Sequence, residues 1–331
     1  MPLSPSQGAS ATRAPLVSIA IAAYNSAHLI GRTLDSLLRQ SVSDFEIIIS
    51  DDASSDATRE VCERYTAADP RVRYSRNERR LGLGGNCSRV LSMTRGELVV
   101  LAGHDDLYEP NFLERLLAEM RRFPSLSLAA CRVDLIDHDD VVVRDMSHQY
   151  FGGKPLSRLR NANRMLWRGY GNLMTGMYRR ELMMRTLLYR PILGDEWDEI
   201  DLLFLFEMAL QGGVVSIPDV LLHKRMGGVS SRIPYRTFSR ALSIYAAVGR
   251  AYRARIRRSA LPGWHRAILS ASLAFRWTFA NWEWKKYLTY TLLVTIDPKR
   301  RVRRHLRHLL EERALREAGR STRSKAGSRE S

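Results

Sequence analysis

GELVVLAGHDDLYEP, running from Gly96 to Pro110, is the stretch whose reading decides the fold. Its apolar run, Leu98 to Leu101, has the length of a buried strand and stops on two adjacent carboxylates, Asp105 and Asp106. Glu109, Pro110 and Asn111 then read as a helix start, because proline suits the first helical turn. A strand that ends on charge and passes into a helix puts that charge at the C-terminal edge of a sheet, where open α/β sheets hold their ligands. Carboxylates set side by side repel unless a metal ion or a hydroxyl-rich ligand offsets them. On this segment alone, a solvated turn capping the next helix accounts for the pair equally well.

The flanking sequence repeats the same strand-then-helix pattern. Val17 to Tyr24 is a continuous apolar strand, followed by Leu29, Ile30, Leu34, Leu37 and Leu38 at helical spacing. Phe45 to Ser50 is a second buried strand that ends at Asp51-Asp52, and Ser54, Ser55 and Asp56 supply N-cap residues for a helix through Cys62 and Tyr65. Arg71 to Ser75 reads as a third strand, Gly82 to Met93 as a Gly-opened helix, and Glu97 to Ala102 as the fourth strand. Such βα units predict an α/β fold of three layers, α/β/α, around a mostly parallel sheet. Phe112 to Phe123 continues as an amphipathic helix, Ser127 to Leu135 as a strand, and Asp137 to Asp140 as an acidic turn. The periodicity weakens from Met146 to Arg190, which reads as a loop-rich insert closing one side of a cleft. Glu199 to Leu210 is a helix, stopped by Gly212-Gly213 and followed by strand-like VVSI and DVLLHKR.

The chain has 331 residues and a net charge of +17, and that charge is unevenly spread. From Arg232 onward there are 24 Lys and Arg against 6 Asp and Glu, whereas residues 1–231 hold 28 against 29. The first part is therefore a near-neutral domain and the basicity belongs to the last hundred residues. Three widely spaced cysteines suggest reduced thiols in a cytoplasmic compartment. The segment 1–14 lacks the apolar core of a signal peptide and reads as a disordered lead, and no run reaches the roughly 18 apolar residues of a transmembrane helix.

Four features line up at one edge of the expected sheet: Ala22-Ala23-Tyr24-Asn25, Asp51-Asp52-Ala53-Ser54-Ser55-Asp56, His104-Asp105-Asp106, and the acidic cluster Asp195 to Asp201. In order and spacing, over about Pro15 to Ser231, they resemble the inverting family 2 glycosyltransferases of the GT-A fold. The resemblance implies a nucleotide-diphosphate-sugar donor and a divalent cation, manganese or magnesium, that stabilises the leaving diphosphate. Asp106 is the expected metal ligand with Asp105 beside it, the latter facing the ribose. Asp52 would accept from the base or ribose, and Ala22, Ala23, Tyr24 and Asn25 would line the nucleoside. Direct displacement needs one general base, and Asp201 fits the family pattern, with Asp198 and Glu199 as rivals. The sequence departs from that pattern: Gly103 replaces a further Asp, Ile200 a Glu, and Glu207 an Arg. The closing Arg-x-His segment has Arg225, a candidate diphosphate contact, but lacks the histidine, for which His223 is a substitute.

Residues 232–318 read as helices in which arginines alternate with Trp264, Phe275, Trp277, Phe279, Trp282, Trp284, Tyr287 and Tyr290, ahead of a disordered tail, 319–331. This composition suits an anionic membrane surface. It also suits a helical cap whose aromatics are core. Nucleic acid is disfavoured, because the arginines are spread over several helices and no recognised module is present. The expected protein is a glycosyltransferase of polysaccharide or lipid-linked oligosaccharide assembly, peripheral on the cytoplasmic face of a membrane and acting on a glycan or lipid-linked acceptor. The alternative is a non-catalytic nucleotide-sugar-binding, nucleic-acid-binding or membrane-binding protein.

Overall fold

The computed structural model describes residues 13–147, 150–167, 170–186, 200–226 and 238–276. The chain divides into two compact units, the first running to Ile233 and again from Val248 to Arg276. The sheet and its helices belong to that first unit.

Strands β1 (Val17–Ala23), β2 (Phe45–Asp51), β3 (Val72–Arg76) and β4 (Leu98–Ala102) pair in parallel in the order β3-β2-β1-β4. Every residue of β1, β2 and β4 is buried, as expected where helices cover both faces of a parallel sheet. Among the covering helices, α1 (Ile30–Leu38) buries Ile30, Leu34 and Leu37, and α4 (Phe112–Arg122) buries Phe112, Leu113, Leu116, Leu117 and Met120. The other helices of these units are α2 (Thr58–Ala68) and α3 (Gly82–Ser92). Register brings the strand ends level: Ala23 lies opposite Asp51, and Ile21 opposite Ala102.

The sheet continues through β8 (Met177–Arg179), β6 (Leu126–Ile136), β9 (Gly213–Arg225) and β5 (Leu107–Tyr108), with β7 (Val142–Asp145) off β6. Strands β6 and β9 are parallel to each other and run in the direction of β1, so the sheet is mostly parallel. The segment from Met146 to Arg190 is more regular than its weak periodicity suggests. It contains α5 (Arg158–Trp167), a 3₁₀ turn at Gly171–Thr175, the central strand β8 and α6 (Arg180–Arg185). Gly176 lets the chain pass close to β6 as it enters β8, since a Cβ there would lie 2.6 Å from the Ala129 carbonyl oxygen.

Helix α7 (Ile200–Gln211) is followed by α8 (Phe238–Arg258) and α9 (Gly263–Phe275), so the described part of the basic region is helical. The anomalous Glu207 pairs with Arg255 at 2.9 Å and joins α7 to the last turns of α8. Cys62, Cys87 and Cys131 are buried and are not joined in disulfides. Among the described residues, no helix is long and apolar enough to cross a membrane. The aromatic run from Trp277 to Tyr290 lies outside the described residues.

Candidate active site

The loops after β1 and β2 are sewn together by short polar side chains. Asn25 takes a left-handed conformation (φ 48°); its N–H donates to Ser54 Oγ, and its Oδ1 accepts from the N–H of Ser55, both at 2.9 Å. Ser54 and Ser55 are thus spent on the β1 loop and do not cap α2. The N-cap is Ala57, without a side-chain cap, and Asp56 ahead of it accepts the N–H of Thr58, the first helical residue, at 3.0 Å. Ala22 and Ala23 are buried beneath the loops, and Tyr24 is partly exposed with the Arg80 guanidinium 4.2 Å from its ring centroid.

Asp51 and Asp52 diverge. Asp51 is turned inward, accepting from Ser54 and, at 2.7 Å, from the Tyr74 hydroxyl. Asp52 accepts the N–H groups of Leu81 at 2.7 Å and Gly82 at 2.9 Å and the side-chain amide of Asn77 at 3.0 Å. Its carboxylate therefore meets the exposed amides at the start of α3, as the helix dipole favours. Beneath it, Asn86 donates to the carbonyls of Ala23 and Ser50 and accepts from the Ser50 hydroxyl and Asn77. Asn77, Arg80 and Asn86 were not among the residues singled out by sequence. For Asn86 a signal existed: it shares the apolar face of α3 with Val90, and a polar residue on such a face needs internal partners.

In the acidic loop, Gly103 donates its N–H to the Tyr108 hydroxyl at 3.0 Å, and the carbonyl of Asp106 accepts from Thr33 Oγ1 at 2.9 Å. Asp106 is buried and Asp105 partly exposed. Glycine at 103 is explained by the carboxylates themselves, because a Cβ there would fall 2.5 Å from Asp106 Oδ2 and 3.3 Å from Asp105 Oδ1. Burial raises the Asp106 carboxyl to about 6, with the Lys224 charge opposing the shift and Asp105 adding to it. Among the described residues no group of three or more His, Cys, Asp or Glu side chains forms a ready cage for a metal. The pair fits a divalent cation that takes its remaining ligands from phosphate and water.

Asp201 opens α7. Its Oδ1 is shut from solvent without a hydrogen-bond partner, and burial raises the carboxyl to about 6 against the Lys224 charge. Asp106 and Asp201 thus both lie within electrostatic reach of Lys224, a residue sequence reasoning passed over. Asp198 and Glu199 fall outside the described residues. The Arg225 guanidinium is occupied by protein: Nε donates to the Asp105 carbonyl at 3.1 Å, and the other nitrogens reach the Asp137 carbonyl and the Asp140 carboxylate. His223 is bonded through Nε2 to Glu109 at 2.9 Å.

A parallel sheet that delivers a tyrosine, an aspartate and an acidic pair to one edge, continued by a second set of strands, is the GT-A class of nucleotide-sugar-handling fold. The profile of "Glycosyl transferase family 2" matches residues 18–186, and the chain belongs to that family. It is 37% identical over 123 residues to chondroitin synthase of Escherichia coli, covering 37% of this chain and 18% of that one. It is 26% identical over 223 residues to the uncharacterized glycosyltransferase alr2836 of Nostoc sp., covering 66% of each. The chain thus spans less than a fifth of the chondroitin synthase. Among solved structures, S. aureus TarS residues 1–349 in complex with UDP-GlcNAc matches with a TM-score of 0.64 at 21% identity, covering 80% of this chain and 73% of that one. The mannosyltransferase PcManGT of Pyrobaculum calidifontis, in complex with GDP-Man and Mn2+, matches with a TM-score of 0.52 at 19% identity, covering 86% and 76%. At these identities the structural likeness concerns the fold.

Proposed function

We propose that this chain transfers a sugar from a nucleotide-diphosphate-sugar to an acceptor hydroxyl with inversion at the anomeric carbon. One observation carries the reading: two desolvated carboxylates, Asp106 at a strand end and Asp201 at a helix start, share the field of Lys224 at the ligand-binding edge of the sheet. Tyr24 and Asn25, above Ala22, border the nucleoside, with Arg80 against the tyrosine ring. Asp52 anchors the start of α3 and keeps lone pairs for a base or ribose donor. Asp106, with Asp105, would hold manganese or magnesium, which when bound neutralises the charge growing on the leaving diphosphate.

Asp201 is the base. A buried carboxylate with one oxygen lacking a donor is more basic than an exposed aspartate and is still ionised at neutral pH, a combination suited to taking the acceptor's proton. The hydroxyl oxygen attacks the anomeric carbon as the bond to the diphosphate breaks, and the nucleoside diphosphate leaves with the bonding pair. The acceptor is read as a glycan or lipid-linked sugar in cell-surface polysaccharide or oligosaccharide assembly, met at the cytoplasmic face of a membrane. The relation to chondroitin synthase supports the polysaccharide class.

A thermal-shift screen of UDP-, GDP- and TDP-sugars, with and without manganese, tests the reading. At least one donor should stabilise the protein, more with the cation than without, and Asp106→Asn should abolish the cation's contribution. No response to any donor would reject the proposal.

A further inference from the structure

Asp52 follows β2 at the ligand-binding edge of the sheet, yet it is only 2% exposed. Its cover comes from both neighbouring strands, since β2 lies between β3 and β1. On the β3 side the chain entering α3 folds over it, with the N–H groups of Leu81 and Gly82 on its carboxylate. On the other side stands Tyr24, which follows β1 and is partly exposed. The Arg80 guanidinium joins the two sides, 4.2 Å from the Tyr24 ring centroid. One side-chain contact thus runs from the entry of α3 to the end of β1, past the strand that delivers Asp52.

Arg80 differs from the other arginines of this segment. Arg73 pairs with Glu46 at 3.0 Å, Arg76 with Asp51 at 3.5 Å, and Arg89 donates to Ser75 Oγ at 3.3 Å. Among the described residues, no carboxylate or carbonyl takes up the hydrogen-bonding fork of Arg80, which rests on an aromatic face alone. The backbone around it is fixed at both ends. Asn77 donates its N–H to the Asp51 carbonyl at 2.8 Å, and Leu81 and Gly82 are tied to Asp52, so residues 78–80 are a short exposed bend between two anchors. Glycine is required at 82, where φ is 74°. What can move is the Arg80 side chain, held only by an exposed cation–π contact that favours the closed position about two- to fivefold.

We propose that Arg80 is a gate on the nucleoside site: resting on Tyr24 it shuts the approach to Asp52, and when a nucleotide enters it leaves the ring and pairs with the diphosphate. The proposal deepens the reading of this edge as a nucleotide-diphosphate-sugar site and rests on it. A base needs the place beside Tyr24 and Asp52 that the guanidinium closes, and a diphosphate supplies the anionic oxygens that the guanidinium lacks. The gate therefore discriminates by charge. A ligand carrying the diphosphate gives Arg80 a new partner for the ring it gives up, whereas a bare nucleoside opens the site at a net cost.

Binding of uridine and guanosine, followed by saturation-transfer NMR, and of UDP and GDP, followed by calorimetry with manganese present, tests the gate in the full chain. Arg80→Ala should shift the two ligand classes in opposite directions. For the base that the protein accepts, the nucleoside should bind about two- to fivefold more tightly, because the contact that it must break is gone. The diphosphate should bind about tenfold more weakly, because its guanidinium partner is gone. Arg80→Lys keeps the charge without the planar fork and should recover part of the diphosphate affinity. Thermal unfolding of both variants should match the parent, since the side chain is exposed. The gate is overturned if Arg80→Ala fails to bind the nucleoside better than the parent, which would make Arg80 a prop for the tyrosine, or if diphosphate affinity is not lowered. No binding of any nucleotide by parent or variant would reject the donor reading itself, whereas parent binding of a diphosphate without the opposed shifts rejects the gate alone.

Discussion

The backbone N–H of Arg225 donates to Oδ1 of Asp106 at 3.1 Å, tying the last residue of β9 to the loop after β4. From the same residue, the guanidinium spans the Asp105 carbonyl and the Asp137–Asp140 turn, where Asp140 also meets Arg32 of α1 at 3.1 Å. One buried arginine thus fixes the acidic pair relative to three elements.

Arg225→Met should therefore behave as a structural lesion. It strips a buried partner from Asp140 and from two carbonyls, at a cost of roughly 3 kcal/mol. Urea unfolding should show that loss, with donor response falling in parallel. If stability is retained and only donor affinity falls, Arg225 contacts the diphosphate directly and its protein partners are incidental.

Gly103→Ala tests whether the acidic loop tolerates any side chain at that position. The added methyl would sit 2.5 Å from Asp106 Oδ2, well inside contact distance, so the carboxylate must move. Expected is loss of cation-dependent donor stabilisation with overall stability lowered by about 1–3 kcal/mol. Preserved manganese response in this variant would mean that Asp106 has freedom the structure does not show.

The strands that build this site were legible because β1, β2 and β4 are buried on both faces and read as continuous apolar runs ending on Asn25, Asp52 and the Asp105-Asp106 pair. The short strands were not. β5 has two residues and β8 three, too few for any periodicity, and each exists because its neighbours offer a free edge. Side-chain partners were equally hidden. Arg225 reads as a free cation beside a glycine pair, yet its ligands lie 85 to 120 positions away. Lys224 acts on two carboxylates that sequence places on different elements, and only the sheet order brings them into one field.

Asp52→Ala is expected to do more than weaken nucleoside binding. Its carboxylate satisfies the first N–H groups at α3 and the Asn77 amide, so truncation leaves these donors without an acceptor and should cost about 1–3 kcal/mol. Asp52→Asn retains one acceptor oxygen and should recover part of that stability. Donor affinity restored to the same extent would assign Asp52 a supporting role, while affinity still lost in a stable Asp52→Asn protein would assign it a contact with the nucleoside.

With Asp201 as the proposed base, its carboxyl sets the expected pH dependence of transfer. Burial raises this carboxyl from 3.8 to about 6, so the folded protein holds the proton more tightly than the unfolded chain. Stability conferred by the protonated form is accordingly lost as pH rises from about 4 to about 6, and above that range the ionised base is carried at a cost to the fold. Catalysis runs the other way: kcat/KM should rise with pH through about 6 and level off, because only the ionised form accepts a proton. Asp201→Asn should lower turnover by roughly 100-fold with donor affinity near normal, and raise the melting temperature at neutral pH but not near pH 4. Lys224→Met removes the charge that opposes the shift, so the midpoint should move upward, and a move of about one unit would lower the rate at pH 6 about fivefold. A profile with no midpoint near 6, or one that Lys224→Met leaves in place, would show that the rate-governing base is another residue.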